Sequence, residues 1–230
     1  MSEKDKPTPH YAGHRARLRE RFVKGGPTPL PDYELIELLL FNAMPRRDVK
    51  PIAKELLKKF GSLGGVLNAD IDALAKVDGM GDVAAINMKV VREVAVRMLG
   101  QEIMDKPVLS NWQALIDYCR VAMGGNKKEQ FRILFLNRKN ALIADELQQE
   151  GTVDHTPVYP REVIKRALDL GASALILVHN HPSGDTKPSK ADIDMTMEIQ
   201  DAGHKLGIEL HDHVIVSASG HTSFKSEGLL

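Results

Sequence analysis

The apolar residues of this chain change their spacing near Pro107, and this change limits the possible folds more than any other feature of the sequence. Before Pro107, apolar residues recur three and four positions apart in short segments that end at glycine or proline, which indicates amphipathic helices. After it, helical segments alternate with runs of alternating or continuous apolar residues, which indicate strands. The sequence therefore predicts two domains: an all-α domain over residues 1–102, a linker at 103–107, and an α/β domain over 108–230 with helices packed on a mixed sheet.

The predicted elements follow from capping and turn residues at the ends of these segments. Helices are expected over residues 32–41, 48–60, 62–67, 71–75 and 82–99 of the first domain. In the second domain, helices are expected from Ser110 to the glycine pair that follows Met123, and over residues 160–170 and 189–206. Strands are expected over residues 130–136, 142–153, 174–181 and 207–218.

Composition excludes two classes of protein and leaves the partner open. The single cysteine, Cys119, allows no intramolecular disulfide, and it is expected to be a core residue on a helix. No apolar run is long enough to span a bilayer, so the sequence predicts a cytoplasmic protein without membrane association. The net charge is zero, yet the first thirty residues carry seven basic against three acidic side chains, and seven of the nine histidines lie at or after His155. A basic N-terminal segment and a histidine-rich C-terminal part indicate two different functions.

The densest chemical signal is a pair of histidines at the end of a predicted strand. His179 and His181 close the apolar run over residues 173–178. Because side chains two apart on a strand point to the same face, the two imidazoles are expected side by side, as metal ligands require. The alternative interpretation is that the pair merely ends a buried strand.

Ser189 and Asp192 allow two interpretations that are mutually compatible. They form a capping box for the next helix, with Ser189 as the N-cap. Asp192 also shares the apolar face of that helix with Met195 and Ile199, where a carboxylate requires a cation or strong hydrogen-bond donors. Two histidines and one aspartate give the three protein ligands of a catalytic zinc site, and the lack of further cysteines excludes a thiolate site.

The motif His-x-His-Pro-x6-Ser-x2-Asp, from His179 to Asp192, resembles the JAMM (MPN+) metalloprotease signature, and nearly the whole chain resembles the bacterial RadC-like family, which carries a DNA-repair label. The other matching segments are residues 13–15, 45–48, 151–152, 160–163, 179–184 and 212–215. The resemblance implies a JAMM/MPN-type second domain with cytidine-deaminase-like layering. It also implies a metallopeptidase or isopeptidase that acts on a peptide or protein substrate.

By the same resemblance, Zn²⁺ would be bound by His179, His181 and Asp192, and Ser189 would donate to the oxyanion of the tetrahedral intermediate. The remaining histidines of the second domain have weaker patterns. His213 lies in the last predicted strand, where it is expected to be part of the sheet, and a role in orienting the metal site is the alternative. The others are expected at the surface, namely His204, His211 and His221.

JAMM domains use a glutamate on an earlier strand as general base, and the best match is Glu129. It alternates with Phe131 and Ile133, so it is expected on the core-facing side at the mouth of a strand. Glu146 and Glu150 are alternative candidates for this role.

The segment over residues 77–84 resembles a helix-hairpin-helix motif. Gly79 and Gly81 would allow a tight hairpin whose free backbone N–H groups bind a nucleic-acid phosphate, with Lys89 nearby. Acidic residues flank the hairpin, and a plain turn between helices is the alternative. Four arginines between residues 15 and 21 could add DNA-backbone contacts or form a solvated helix face.

Three functions therefore compete. The first is a zinc-dependent metallohydrolase of JAMM type. The second is a DNA-binding protein of the repair or recombination class with a structural or vestigial metal site. The third, a metal-dependent nuclease, is suggested only by the letters of His179-Asn180-His181, since Mg²⁺ chemistry favours clusters of oxygen ligands.

Overall fold

A computed structural model describes residues 13–25, 30–104, 106–151 and 158–230. The chain forms two compact units, Met1–Arg92 and Glu93–Leu230. This division lies within the sixth helix, ahead of the predicted limit at residue 102, and the predicted limits of the two domains stay predictions. The basic residues Lys4 and Lys6, and the last two positions of the strand expected over 142–153, lie outside the described residues.

The described part of unit 1 is all-helical, as predicted. Its helices are α1 (His14–Gly25), α2 (Asp32–Ala43), α3 (Lys50–Phe60), α4 (Leu63–Asn68), α5 (Ile71–Ala75) and the start of α6 (Gly81–Ile103). Their apolar faces surround one core, built from fully buried side chains such as Ile36, Leu40, Leu56, Leu74 and Met88. The 3.6-residue spacing of these apolar positions is what buries one face of each helix.

The described residues of unit 2 form a five-stranded mixed sheet with helices on both faces, which confirms the predicted fold class. Its helices are α7 (Trp112–Cys119), α8 (Pro160–Asp169) and α9 (Lys190–His204), and its strands are β1 (Glu129–Leu136), β2 (Leu142–Gly151), β3 (Ala174–Asn180), β4 (Glu209–Val216) and β5 (His221–Ser223). The strand order is β2-β1-β3-β4-β5. Only the central β3–β4 pair is parallel, and the other pairs are antiparallel.

The side chains of β1 alternate between two cores. Phe131 and Ile133 pack with the apolar faces of α8 and α9. Leu134 and Leu136 face the opposite side, where they pack with α7 and the end of α6. Every residue of β3 is buried, because helices cover both faces of the sheet at its centre. This double coverage explains the continuous apolar run that precedes the histidine pair.

Residues near the predicted linker are joined to the sheet. Met104 forms a β-bridge with Leu142, and Pro107 forms one with Ala141. The N–H of Val108 donates to the carbonyl of Asn140 at 2.9 Å. The end of α6 is therefore fastened to the edge of unit 2 by backbone hydrogen bonds.

No helix within the described ranges is both long enough and apolar enough to cross a membrane.

Candidate metal site

Sheet register places the predicted ligands at one end of the two central strands. His179 lies opposite Phe131 in the antiparallel β1–β3 pair, and it is buried. The N–H of His181 donates to the carbonyl of Val216 at 3.0 Å, which fixes the chain just beyond the end of β3. Extending the register by two residues places Glu129 opposite His181, so the strand ends gather these side chains at one edge.

The first turn of α9 supplies Asp192, and the capping box predicted there is present. Ser189 Oγ accepts a hydrogen bond from the N–H of Asp192, and Asp192 Oδ2 accepts from the N–H of Ser189 at 2.8 Å. Ser189 Oγ also donates to the same Oδ2 at 2.6 Å. The capping contacts therefore use one carboxylate oxygen, and the other, Oδ1, lies 3.3 Å from His179 Nε2. The predicted oxyanion role of Ser189 stays a prediction.

Three ligand atoms converge between the strand end and the helix start. The donor atoms of His179, His181 and Asp192 all lie within 4.8 Å of one another. The two Nε2 atoms are 2.9 Å apart, and Asp192 Oδ2 lies 3.8 Å from His181 Nε2. Ligands at 2.0–2.1 Å around a tetrahedral zinc are separated by about 3.3 Å. The spacing of the three side chains thus suits a single small cation.

A chain of hydrogen bonds behind His179 fixes the position of its protons. Thr196 Oγ1 donates to the carbonyl of Asp192, so it accepts from His213 Nδ1 at 2.6 Å. His213 Nε2 then carries a lone pair, and it accepts from His179 Nδ1 at 2.7 Å. Because a neutral imidazole has one N–H, the Nε2 of His179 is left with its lone pair facing the cluster.

A single hydrogen bond places the proton of His181 on Nδ1 as well. Its Nδ1 lies 2.7 Å from the backbone carbonyl of Asp185, which can only accept, so Nδ1 carries the proton. With His181 in the neutral form that binds a metal ion, both Nε2 atoms direct lone pairs at each other and at the Asp192 carboxylate. This arrangement is repulsive unless a cation lies among the three groups, and the donor set fits a metal ion on that ground.

Burial keeps the two inner histidines neutral. It lowers the pKa of His179 to about 4, an effect that the charge of Asp192 opposes and that of His181 reinforces. It also lowers the pKa of His213 well below its ordinary value, because the ring is fully buried and packs against Phe131 and Phe224. Neutral imidazoles are the form that binds a metal ion.

Glu129 is brought to the mouth of the cluster, with its Oε1 3.9 Å from His181 Nε2. Burial, the largest influence, raises the pKa of this carboxyl; the charge of His181 lowers it, and that of Asp192 raises it again. A raised pKa makes a carboxylate a better proton acceptor, so its place beside the metal site suits Glu129 to the role of general base.

The two alternative bases are engaged elsewhere. Glu146 forms a two-point ion pair with the guanidinium of Arg166 on α8. Glu150 lies opposite Gln130, whose side chain points away from the face that carries Phe131, and it accepts from that amide at 3.0 Å. Geometry therefore favours Glu129 over both, and its catalytic role stays a prediction.

One functional candidate was given too little weight by the sequence interpretation, and one was missed. For His213 a place in the sheet was favoured over a role in orienting the metal site, and the structure shows that it bonds directly to His179. Thr196 was not singled out, although it lies one helical turn after Asp192 on the same side of α9. The available signal was the position of His213 directly before the apolar run over residues 214–216 of a predicted strand. The surface position expected for His211 is wrong, because that ring is buried and bonds to Asn140.

The residues proposed for nucleic-acid contact lie in unit 1. Gly79 and Gly81 both have positive φ angles, of 81° and 67°, in the turn between α5 and α6. The ammonium of Lys89 donates to three backbone carbonyls at the end of α4, those of Leu67, Asn68 and Ala69. Burial lowers the pKa of Lys89, as does the charge of Arg92. Lys89 thus stabilises the end of α4, and these contacts do not support the phosphate contact predicted for it.

Comparison with families of known proteins gives two matches. A family model described as RadC-like JAB domain matches residues 109–229, more than half of the chain. A second model, described as UPF0758 N-terminal, matches residues 12–86. All of the candidate metal ligands fall within the first match.

Proposed function

The chain belongs to the RadC-like JAB domain family, and from this membership and the geometry of the site we propose that it is a zinc-dependent hydrolase of amide bonds in peptides or proteins. One observation carries the proposal: hydrogen bonds direct two imidazole lone pairs and one carboxylate oxygen at a common point.

The chemistry of the ligands favours zinc. Two imidazoles and one carboxylate suit Zn²⁺, whereas Mg²⁺ and Ca²⁺ prefer sites made of oxygen atoms. When bound, zinc supplies a Lewis acid that polarises a carbonyl and lowers the pKa of a coordinated water to about 7. The single cysteine is buried in a helix of the opposite core, so no thiolate contributes to this site.

The chain's own residues then have separate tasks. His179, His181 and Asp192 hold the ion, and the Thr196–His213 pair keeps His179 in the tautomer that presents Nε2. Glu129 takes the proton from the attacking water and delivers it to the leaving amine. The resemblance of the metal-site motif to the JAMM metalloprotease signature supports a peptide or protein as the substrate.

Metal content tests the ligand assignment. The wild-type chain, loaded with zinc and desalted, should retain about one zinc per chain by elemental analysis. Asp192→Asn should lose most of it, because the amide offers a neutral and weaker ligand. Asp194→Asn, on the exposed side of the same helix, should retain the wild-type amount. Equal zinc in the two variants would show that Asp192 is not a ligand.

Hydrolysis of a peptide library, followed by mass spectrometry of the new termini, tests the reaction with the same preparations. Glu129→Gln should keep its zinc and lose activity by a factor of about 10² to 10⁴, the usual contribution of a general base. Glu150→Gln is the matched control, because its carboxylate is exposed and bonded to Gln130. If only Glu150→Gln loses activity, Glu129 is not the general base. Zinc-bound wild type that cleaves no peptide would contradict the hydrolase proposal.

A further inference from the structure

A cavity of about 160 Å³ lies in unit 1, between the start of α1 and the loop that joins α2 to α3. Its wall includes three arginines, Arg15, Arg46 and Arg47, together with His14 and Asp48. The site lies outside the metal-binding unit, so the proposed hydrolase chemistry does not account for it.

The wall carries an excess of positive charge. Within the part of the chain that the structure describes, none of the three arginines forms an ion pair with a carboxylate. Asp48 is the one acidic residue of this wall, and its Oδ1 accepts the N–H of Lys50 at 3.1 Å. His14 is bonded to the carboxylate of Glu37, which is buried behind the wall, at 2.7 Å.

Arg15 shapes the cavity. Its guanidinium donates to three backbone carbonyls of the α2–α3 loop region, those of Phe41, Met44 and Arg47. A guanidinium has five N–H groups, so two are left, and carbonyl partners leave its charge unneutralised. Burial lowers the pKa of Arg15, as does the neighbouring charge of Arg19, and the charge of Asp48 in the same wall partly opposes them. An anion in the cavity would relieve this crowding of positive charge.

Arg47 is held by the glycine hairpin. Its Nη1 donates to the carbonyl of Gly79 at 3.1 Å. A Cβ atom at Gly79 would lie 2.5 Å from Arg47 Nη2, so a larger residue would displace the guanidinium, and the positive φ of 81° also favours glycine at this position. The hairpin therefore positions an arginine at the cavity. This contact explains the glycine at position 79 without any contact between Gly79 and a ligand.

Arg46 is the arginine with free donors. Its side chain is exposed, and it makes no hydrogen bond with any residue of described position. The cavity wall also includes Val49, the N-cap of the eleven-residue helix α3. The positive end of that helix adds to the field of the arginines.

We propose that this cavity binds a phosphate group through Arg46 and Arg47, with Arg15 as the fixed charge behind it. Arginine forks match the oxygen geometry of phosphate, and a recessed pocket whose wall carries three arginines and one aspartate favours a dianion over a neutral ligand. The phosphate belongs either to a small molecule or to the end of a nucleic-acid strand, and both offer the same oxygens.

Titration of the full chain with inorganic phosphate, at ionic strength held constant with chloride, tests the site. Calorimetry should give one binding event per chain. Arg46→Ala should weaken it at least tenfold, and Arg161→Ala, an exposed arginine of α8, should leave it unchanged. Equal weakening by both variants would reduce the effect to net charge and overturn the proposal. Absence of binding by the wild type would overturn it as well.

Residue-resolved NMR locates the ligand independently of any variant. Phosphate should shift the amide resonances of Gly13 and Gly79, and shifts confined to the metal-binding unit would contradict the cavity assignment. Competition then separates the sources. A 5′-phosphorylated oligonucleotide that displaces phosphate, when the unphosphorylated strand does not, identifies a strand end. Displacement by a mononucleotide but by neither strand identifies a small molecule.

Discussion

At the scale of single residues, a chain of hydrogen bonds through four groups determines which ring nitrogen of His179 carries the proton. The carbonyl of Asp192 accepts from Thr196, Thr196 accepts from His213, and His213 accepts from His179. Each step is forced by the one before it, because a carbonyl cannot donate and each neutral imidazole has a single N–H. The result is that Asp192 supplies one ligand through its side chain and orients another through its backbone.

Replacement of Thr196 tests this line. Thr196→Val removes the hydroxyl without a large change of volume, so the His213–His179 pair loses the acceptor that fixes its tautomer. Zinc affinity, measured by competition with a chromogenic chelator, should fall about 10- to 100-fold. Thr196→Ser keeps the hydroxyl and should restore most of the affinity. Equal loss in both variants would show that the hydroxyl group is not what sets the zinc affinity, and would contradict this line of hydrogen bonds.

The ligands could be read from the sequence because they are close along the chain. His179, His181 and Asp192 lie on consecutive elements, and local periodicity was enough to place them on one side. The contact of His213 with His179 depends on the parallel pairing of β4 with β3, across an intervening helix. Spacing along the chain carries no information about that pairing, so the partner of a buried histidine could not be identified.

At the scale of elements, helix ends are where polar side chains contribute most. The start of α9 is closed by Ser189, whose partner carboxylate is also a metal ligand candidate. The end of α4 is closed by Lys89, which reaches back from α6. Both cases satisfy backbone groups that a helix end leaves without partners. They also show why charge alone was a poor guide to function in unit 1, since a lysine near a hairpin proved to be a cap.

Lys89→Met should therefore destabilise unit 1. The substitution keeps the aliphatic stem and removes charged donors from three carbonyls, so the free energy of unfolding should fall by about 1–3 kcal/mol. Lys58→Met, at an exposed position of α3, should change it by no more than about 0.5 kcal/mol. Urea denaturation followed by circular dichroism measures both. An unchanged midpoint for Lys89→Met would remove the capping role and return Lys89 to the candidates for phosphate contact.

Most elements were predictable for the same reason that they are stable. The helices around the core of unit 1 and the continuous run of β3 follow from the apolar pattern that burial requires. The strand β5 has three residues and was not predicted. It is held by pairing with β4 and by Asp212, which accepts from the N–H of Lys225 at 3.0 Å. Because β5 depends on contacts with residues distant in sequence and has only three residues, its own sequence shows no alternating pattern that would predict a strand.

At the scale of the whole chain, each unit has its own hydrophobic core, and the candidate metal site belongs to one of them. The site joins the end of β3 to the start of α9. A ligand that binds only the folded state stabilises it in proportion to the logarithm of its concentration relative to Kd. Zinc is therefore expected to raise the free energy of unfolding of unit 2 and to leave that of unit 1 unchanged.

Zinc removal by a chelator separates these two contributions. Trp112 is the only tryptophan of the chain and lies in unit 2, so its fluorescence reports the unfolding of that unit alone. With zinc at a hundred times Kd, the free energy of unfolding obtained from the fluorescence of Trp112 in urea should be about 2.7 kcal/mol higher than after chelation. Hydrogen exchange measured by mass spectrometry should quicken on chelation around His179 and Asp192, whereas exchange in α2 and α3 should stay constant. Faster exchange in those two helices to the same extent would mean that the chain unfolds as a single cooperative unit, and the ion would then stabilise the whole molecule.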